Sequence, residues 1–352
     1  MPAVIDISAA APARQVEIAG FLSNAFGTDV PAGFCNAEFL AWKFFQPHPI
    51  WKGSRSYIVE QDGGIVAHAC VWPVPFRCGH TQIPCTHLID WVASPSSPGS
   101  GIAVYRKLMQ ISGRVLAIGG SDQARRVLPK IGFQPFGFVG RYARVVRPWR
   151  QYRTRPVQGG WLRGAARFGR NAVWSFQRRP AAPVEWSAGQ MSKPSSELDD
   201  FLRDIQPGSY SSGHRSGAIL QFIMSCPLAP ARLFVIRHRS VLRGYFLLNR
   251  VAGQCRIIDL QMDSASPDDW RLAYRLALET AGGERETCEV VTFASIPSIG
   301  SVLREEGFHR RDERAVMLFD PAGTLSAAAP VHLQMVDSDA FFLSSTTHPY
   351  LT

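Results

Sequence analysis

The sequence predicts an α/β protein of mixed α+β character, with two tandem domains that each hold a central mixed β-sheet flanked by helices. Three observations support this fold class. Residues 87–133 read as strand, glycine turn, helix, strand and helix. The same order of landmarks returns in the second half, and 352 residues exceed one average domain. The apolar fraction of 46% and the charged fraction of 19% are typical of a globular protein.

The first domain is predicted to span residues 1–148. Its flanking elements, in chain order, are a strand at Val4–Ile7, a helix ending near Gly27, a hairpin of strands 56–60 and 65–72, and a last strand that ends at Pro148. The hairpin is indicated by an Asp-Gly-Gly turn between two runs of β-forming residues. A dense aromatic patch, 39–45, precedes it and is interpreted first as core packing.

The centre of this domain is a turn between a strand and a helix. The predicted elements are a strand at 87–93, the turn 96–101, a helix at 102–111, a second strand at 114–118 and a short helix at 123–131. The glycines Gly99 and Gly101 allow the backbone to approach a ligand closely. The first N–H groups of the helix lack partners within the helix, and together with the helix dipole they favour a phosphate group.

The second half repeats these landmarks. Residues 256–260 correspond to 87–91, residues 302–308 to 127–133, residues 315–321 to the strand ending at Pro148, and residues 232–248 to the hairpin. We therefore predict a second domain of the same fold at 184–330, followed by a tail at 331–352. Asp268 and Asp269 stand where the first copy has its glycine turn, and their charge would repel a diphosphate. The second copy is accordingly expected to lack a phosphate site.

The net charge of +10 is concentrated in one stretch. Residues 123–184 contain fourteen Lys or Arg and no Asp or Glu. A basic linker, 149–183, is predicted to include a helix from Trp161 to Arg178. Its apolar residues near one face are Trp161, Ala165, Phe168, Ala172 and Phe176, and its basic residues near another are Arg163, Arg167 and Arg170. We favour a clamp with the apolar face inward, and the alternatives are contact with an anionic membrane surface or with phosphate.

The turn Ser96–Gly101 and the phrase Val127–Phe133 resemble the GNAT acyltransferase superfamily, whose members bind acyl-CoA. In that family a strand leads into a glycine turn that holds the CoA pyrophosphate, and a later helix ends in a Gly-Phe pair. The resemblance covers roughly residues 4–148. Ser96 stands where the family has Arg or Gln, and Leu128 stands where it commonly has a tyrosine that acts as general acid.

The resemblance implies a set of site residues. Backbone groups of Trp91, Val92 and Ala93 would lie along the thioester, those of Gly99, Ser100, Gly101 and Ile102 would hold the pyrophosphate, and Arg106 would reach a CoA phosphate. The titratable and hydroxyl candidates for catalysis are Asp90, His87 and Ser121. Since Asp90 and His87 are three residues apart in a strand, we expect them on opposite faces. Neither histidines nor cysteines show the spacing of a metal site.

These features predict a CoA-dependent N- or O-acyltransferase. Acetyl-CoA or another acyl-CoA would donate its acyl group directly to an amine or hydroxyl of a small molecule or sugar. Two alternatives remain open: a Fem-type transferase that uses aminoacyl-tRNA, and a non-catalytic scaffold in envelope polysaccharide assembly. Nucleic-acid binding ranks lower because the basic stretch lacks the sheet-borne aromatics of an RNA-binding module.

Composition also predicts where the protein resides. Its seven cysteines are scattered and odd in number, which indicates reduced thiols and a cytoplasmic protein. The basic linker adds the expectation of a peripheral membrane association. The sequence holds no apolar run of the ~20 residues that cross a bilayer. It gives no indication of the oligomeric state.

Overall fold

The computed structural model describes residues 6–27, 33–154, 160–176, 181–205, 210–251, 253–328, 330–344 and 349–352. Two residues of the first predicted strand, Val4 and Ile5, lie outside these ranges. The chain divides into two compact units. Unit 1 comprises residues 1–137, 226–228 and 315–328, and unit 2 comprises residues 138–225, 229–314 and 329–352.

Unit 1 follows the predicted alternation of strands and helices. Its strands are β1 (Asp6–Ala9), β2 (Ser56–Gln61), β3 (Gly64–Pro73), β4 (Phe76–Cys78), β5 (Thr81–Ile83), β6 (Thr86–Ala93) and β7 (Val115–Ile118), and its helices are α1 (Gln15–Phe26), α2 (Ala37–Leu40), α3 (Ser100–Ser112) and α4 (Asp122–Val127). The hairpin β2–β3 turns at Asp62 and Gly63, both with positive φ, which confirms its prediction.

The main sheet of unit 1 is mixed. Strands β1, β2, β3 and β6 are antiparallel neighbours, and β6 and β7 are parallel. Helix α3 packs on this sheet through Val104 and Leu108, which are spaced for one helix face and are fully buried beside Leu88 and Phe133. This packing fixes the position of the glycine turn, because the turn joins β6 to α3.

Unit 2 contains a second set of elements in a similar order. Its strands are β8 (Gln134–Val145, from residue 138), β9 (Trp186–Met191), β10 (Ser211–Gly213), β11 (Ala231–His238), β12 (Val241–Val251), β13 (Gln254–Met262), β14 (Glu289–Ala294), β15 (His309–Phe319, to residue 314) and β16 (Val331–His332). Its helices are α5 (Pro148–Thr154), α6 (Gly160–Ser175), α7 (Ser196–Asp204), α8 (Gly217–Met224), α9 (Pro267–Gly283) and α10 (Pro297–Glu305). Its core includes Phe246, Trp270, Tyr274 and Leu303.

The terminal strands do not follow the linear order of the repeats. Strand β8, expected to complete the first sheet before Pro148, pairs antiparallel with β14 in unit 2, with Tyr142 opposite Thr292. The end of β15 instead pairs antiparallel with β7 in unit 1, from Val316 opposite Ile118 onward. Alternating side chains identify a strand but not its partner, which is why the sequence could not show that β8 pairs with a strand of unit 2.

The basic helix differs from its prediction in orientation. Helix α6 ends at Ser175, and residues 177 and 178 of the predicted helix lie outside the described residues. Trp161 is 72% exposed and Phe176 is 78% exposed, whereas Phe168 of the same predicted face packs against Trp149, so the predicted inward packing holds for only part of that face. Periodicity located the apolar face but could not tell which side of the helix would be covered.

The tail packs within unit 2. Gln334, Asp337 and Phe341 are buried, and the segment contains the short helical turns Met335–Asp337 and Asp339–Phe341. None of the helices in the described residues combines the length and apolar character needed to cross a membrane.

Candidate active site

Strands β6 and β7 diverge soon after they meet. Within the described part of unit 1 their register covers only Thr86 opposite Val115 and His87 opposite Leu116. Beyond this point β6 continues to Ala93, whereas β7 ends at Ile118. The Nε2 atom of His87 accepts a hydrogen bond from the Ile118 backbone N–H at 3.3 Å, so the imidazole lies at the fork. The edge of β6 that faces away from β3 is therefore left without a strand partner over its second half.

The backbone donors of this edge can be assigned from the antiparallel ladder. The Ser94 N–H donates to the Val66 carbonyl at 2.7 Å, and Val92 lies opposite His68. Because donors alternate between the two edges of a strand, the N–H groups of Trp91 and Ala93 point away from β3, toward the fork. Two backbone donors thus face the gap at the position where the sequence prediction placed the thioester.

A bulge interrupts β6 at Asp90. The register with β3 shifts there, and Asp90 has φ of +52°, which is rare for a residue other than glycine. The backbone carbonyl of Asp90 accepts a hydrogen bond from Nδ1 of the buried His68 at 3.1 Å. Burial lowers the pKa of His68 to about 4, so this imidazole is neutral and its Nε2 accepts from the Ser56 hydroxyl at 3.0 Å. His68 therefore holds the bulge in place.

The carboxylate of Asp90 forms a buried ion pair with Lys43. The Lys43 Nζ lies 2.6 Å from Oδ2, and both side chains are almost completely shielded from solvent. Three aromatic rings surround the ammonium, with Nζ-to-centroid distances of 4.5 Å for Phe34, 5.5 Å for Phe39 and 5.6 Å for Phe44. Cation–π attraction of this kind favours the charged lysine in a site with little water.

Lys43 was not among the site residues predicted from sequence. It lies on a π turn, Ala41–Phe45, that continues helix α2, and such turns are frequent at functional sites. The available signal was a lysine inside an otherwise apolar aromatic patch, because a buried lysine requires a partner. Sequence alone could not identify that partner, since Asp90 lies 47 positions further along the chain.

The start of helix α3 has a backbone bond from the Ser100 N–H to the Ser97 carbonyl, at 3.3 Å, in place of a side-chain cap. Gly99 is the N-cap residue with φ of +91°, and no described side chain caps the helix. A Cβ atom on Gly101 would lie 2.9 Å from the Ala93 Cβ, so only glycine allows the helix to approach β6 this closely. The Trp91 indole N–H donates to the Gly101 carbonyl at 2.8 Å and fixes the contact.

The turn before the helix is held by its own serines. The hydroxyl of the buried Ser100 donates to the Ser97 carbonyl at 2.8 Å, and the Ser97 hydroxyl donates to Oε1 of Gln61 at 3.0 Å. Ser96, which stands where the resembled family has Arg or Gln, lies 2.7 Å from the Ser94 hydroxyl, oxygen to oxygen. The loop is thus braced against the β2–β3 hairpin.

The remaining predicted residues have separate places. Ser121 caps helix α4, where its hydroxyl accepts from the Ala124 N–H at 3.2 Å. Arg106 is exposed on α3, and Ile102 follows the glycine turn in the first turn of that helix. Leu128, at the position of the family's tyrosine, is a buried core residue. The structure therefore brings Trp91 and Ala93 into contact with Gly101 of the turn, and it places Ser121 at the cap of α4.

Unit 2 fills the equivalent corner with its own side chains. Asp259, the counterpart of Asp90, is bound by Arg215 at 2.9 Å, by the Tyr245 hydroxyl at 2.6 Å and by the Gln334 amide at 2.8 Å. The side-chain Oε1 of Gln334 also accepts a hydrogen bond from the Leu260 backbone N–H at 2.8 Å, and Leu260 corresponds to Trp91. The tail therefore occupies the backbone donor that remains available in unit 1.

The helix start of unit 2 carries the predicted carboxylates. Asp268 and Asp269 lie in the first turn of α9. Asp269 accepts from the Ser264 hydroxyl at 2.5 Å, and Asp268 pairs with Arg271. Trp270 donates its indole N–H to the Ser264 carbonyl at 2.9 Å. Two carboxylates therefore lie at the start of this helix, where a further anion would meet their negative charge.

Known structures share this architecture. Neither a protein-family profile nor a curated protein matches the sequence. A GCN5-related N-acetyltransferase from Anabaena variabilis superposes with a TM-score of 0.58 at 12% identity, over 89% of this chain and 72% of that one. Saccharomyces cerevisiae N-myristoyltransferase with bound myristoyl-CoA gives 0.58 at 12% identity, over 91% and 81%. A putative acetyltransferase from Pyrococcus horikoshii gives 0.53 at 11%, over 97% and 94%.

These likenesses show that the chain has the GNAT fold. They confirm the predicted fold class and, at the level of the fold, the predicted resemblance to tandem GNAT acyltransferases. All three similar structures carry names of acyltransferases.

Proposed function

We propose that the protein is an acyl-CoA-dependent acyltransferase whose co-substrate binds to unit 1 at the corner between β6 and α3. The observation that carries this proposal is the convergence of two sets of backbone donors. The N–H groups of Trp91 and Ala93 face the fork, and the uncapped first turn of α3 begins at Gly99. A diphosphate suits a helix start, and an amide-containing chain suits the unpaired edge of a strand.

The two sets of backbone donors would bind different parts of the co-substrate. Gly99, Ser100, Gly101 and Ile102 would hold the pyrophosphate, and the exposed Arg106 would contact a further phosphate. Trp91, Val92 and Ala93 would line the pantetheine and thioester. The Trp91 N–H would then donate to the thioester oxygen as negative charge develops on it.

The reaction would be a direct transfer. An acceptor amine attacks the thioester carbonyl carbon, a C–N bond forms, and the C–S bond breaks. The leaving CoA sulfur takes up the proton that the amine loses, so no covalent enzyme intermediate is needed. The protein would supply positioning and oxyanion stabilisation, which account for a large share of catalysis in such reactions.

In this proposal Asp90 is a positioning residue. Its carboxylate is neutralised by Lys43 and its backbone carbonyl is held by His68, so the bulge that directs the Trp91 N–H is fixed from two sides. His87 keeps β6 and β7 apart at the fork through its bond to Ile118. Ser121 serves as the cap of α4, and we give it no part in the chemistry.

The acceptor is proposed to be an amine of a small molecule or sugar, and acetyl-CoA to be the donor. All seven cysteines are free thiols, which supports the cytoplasm as the compartment of the reaction. A screen of amine and sugar acceptors for CoA thiol release, with acetyl-CoA and myristoyl-CoA as donors, would identify both substrates.

Calorimetry tests the proposal on the full chain with CoA, acetyl-CoA, myristoyl-CoA and tRNA. We expect micromolar binding of an acyl-CoA to the wild type and loss of binding in Gly101→Glu, because a side chain there collides with Ala93. The matched control is Gly20→Glu, at a second helical glycine of unit 1 where an added Cβ would meet nothing within 4 Å. It should bind like the wild type.

Other outcomes would overturn the proposal. Salt-sensitive binding of tRNA without binding of acyl-CoA would favour the Fem-type alternative. Binding of neither ligand would favour a non-catalytic scaffold. Equal affinity of Gly101→Glu and wild type for acyl-CoA would show that acyl-CoA binds elsewhere than at this corner.

A further inference from the structure

Helix α6 exposes a continuous apolar stripe. The exposed members are Trp161, Leu162, Ala165, Ala166, Gly169, Val173 and, just after the helix, Phe176. At 100° per residue these positions fall on one side of the helix, and no charged residue interrupts them. Large apolar side chains gathered on one exposed face mark an interaction surface, whereas isolated ones do not.

The opposite side of the helix is anchored to unit 2. The buried Asn171 amide donates to Oε1 of Gln151 at 2.8 Å. Trp174 stacks on His309 with ring centroids 3.8 Å apart, and Phe168 packs against Trp149 at 5.7 Å. These contacts fix the rotation of the helix about its axis. The outward direction of the apolar stripe is therefore a built feature of the fold.

Basic side chains border the stripe. Arg163 is exposed and Arg167 partly exposed on one flank of α6, and Arg150 and Arg153 are exposed on the neighbouring α5. Within the described residues no carboxylate forms an ion pair with Arg163 or Arg167. The whole sequence from 123 to 184 contains no acidic residue, so this segment itself carries only positive formal charge.

We infer that α6 is an interfacial helix that lies on an anionic lipid surface. Its apolar stripe would enter the acyl region, while the flanking arginines would contact the phosphate groups of the lipid. Trp161 at one end of the stripe is suited to the boundary between headgroups and acyl chains, where tryptophan is enriched. This inference is independent of the acyl-CoA site, which lies in unit 1.

Charge complementarity selects the lipid over a second copy of the chain. In a symmetric dimer through this stripe, the arginines of one copy would face those of the other, since both present the same surface. Like charges across such a contact are unfavourable, and the segment provides no acidic residue to offset them. An anionic bilayer provides an apolar acyl region for the stripe and negative phosphate groups for the arginines.

Sedimentation with vesicles tests the inference on the full chain. We expect binding to vesicles that contain phosphatidylglycerol, and little binding to phosphatidylcholine alone. The double variant Arg163→Gln/Arg167→Gln should weaken binding by about fivefold for each arginine, at low salt. The double variant Trp161→Ser/Phe176→Ser should weaken it by at least about tenfold, because both large apolar contacts are lost.

Matched controls come from exposed residues elsewhere. Val16, which is 82% exposed on α1, and the exposed Lys193 of unit 2 can be changed to Ser and Gln, and both variants should bind like the wild type. Slower amide hydrogen exchange in residues 160–176 with vesicles would locate the contact. Equal binding of wild type and both α6 variants would overturn the inference, as would a wild-type dimer that dissociates in Trp161→Ser/Phe176→Ser.

Discussion

Each unit has a corner where a strand leads into a helix: β6 and α3 in unit 1, β13 and α9 in unit 2. The backbone elements of the two corners correspond, but the groups at the helix start and at the strand N–H differ. In unit 1 the helix starts on an uncapped glycine, and the Trp91 N–H faces a fork between strands. In unit 2 the helix start carries two carboxylates, and the equivalent Leu260 N–H is bound by Gln334. Backbone donors left without a partner among the described residues thus distinguish a candidate binding site from a repeated copy of the same fold.

The equivalent aspartates show the same contrast. Asp90 depends on a single cation, Lys43, and on a strained backbone. Asp259 receives bonds from Arg215, Tyr245 and Gln334, and Arg215 also binds Asp337. The aspartate of unit 2 thus belongs to a network of buried bonds, whereas that of unit 1 is paired with a lysine beside the proposed site.

The largest expected effect follows from breaking the buried Lys43–Asp90 pair of unit 1. Lys43→Met should lower the free energy of unfolding by about 3–5 kcal/mol, because it leaves the Asp90 carboxylate buried without a cation. Tyr245→Phe removes only one of several donors to Asp259 and should cost about 1.5–3 kcal/mol. Urea denaturation measures both.

The double variant Lys43→Met/Asp90→Asn is the control for this prediction. It removes both the Lys43 ammonium and the Asp90 carboxylate, so no unpaired charge is left buried. It should therefore recover part of the lost stability, since asparagine tolerates the positive φ at position 90. A double variant no more stable than Lys43→Met would argue against a coupled pair.

The pH dependence of stability should be the next largest effect. The pKa of His68 is about 4 in the folded state, below the ordinary value near 6.5, so the folded state binds fewer protons. Stability is therefore full above pH ~6.5 and falls by about 3 kcal/mol as the pH drops to ~4. Burial lowers the pKa of His332 in unit 2 to about 3, which extends the loss to lower pH.

Urea titrations at several pH values check this expectation. His68→Gln keeps a donor and an acceptor but does not titrate, so it should flatten the stability profile between pH 6.5 and 4. His332→Gln should flatten it over a range that reaches lower pH. An unchanged profile in His68→Gln would mean that His68 is not neutral in the folded protein at pH 7.

A charge at the helix start of unit 1 should have a smaller, more specific effect. Gly99→Asp places a carboxylate where unit 2 has its own, in open space. We expect acyl-CoA binding to weaken about tenfold relative to Gly99→Asn, since the two variants share the backbone strain and differ in charge. Calorimetry measures the ratio, and equal affinities would remove the electrostatic argument.

The smallest effect is expected from the reverse change in unit 2. Asp268→Ser/Asp269→Ser should cost about 1 kcal/mol of stability through loss of favourable charges at the helix start. It should not create acyl-CoA binding, because the Leu260 N–H remains bound by Gln334. A second calorimetric binding site in this variant would show that charge alone distinguishes the two corners.

Much of this architecture could be predicted from the sequence. The hairpin turn, the glycine turn before α3 and the repeat were visible because each depends on local residue patterns. The Lys43–Asp90 pair and the bulge were not, since they depend on contacts between distant segments. The outward stripe of α6 was missed for the same reason: periodicity defines a face, but the Gln151–Asn171 and Trp174–His309 contacts decide where it points.

The pairing of β7 with the end of β15 has a consequence for biosynthesis. The sheet of unit 1 needs Val316 and its neighbours, which leave the ribosome almost 200 residues after Ile118. Until then the nascent chain carries β7 with one edge uncovered, and an uncovered edge is prone to pair with other chains. Synthesis of residues 316–319 is thus the step that completes the pairing of β7, and chaperone dependence should be greatest just before it.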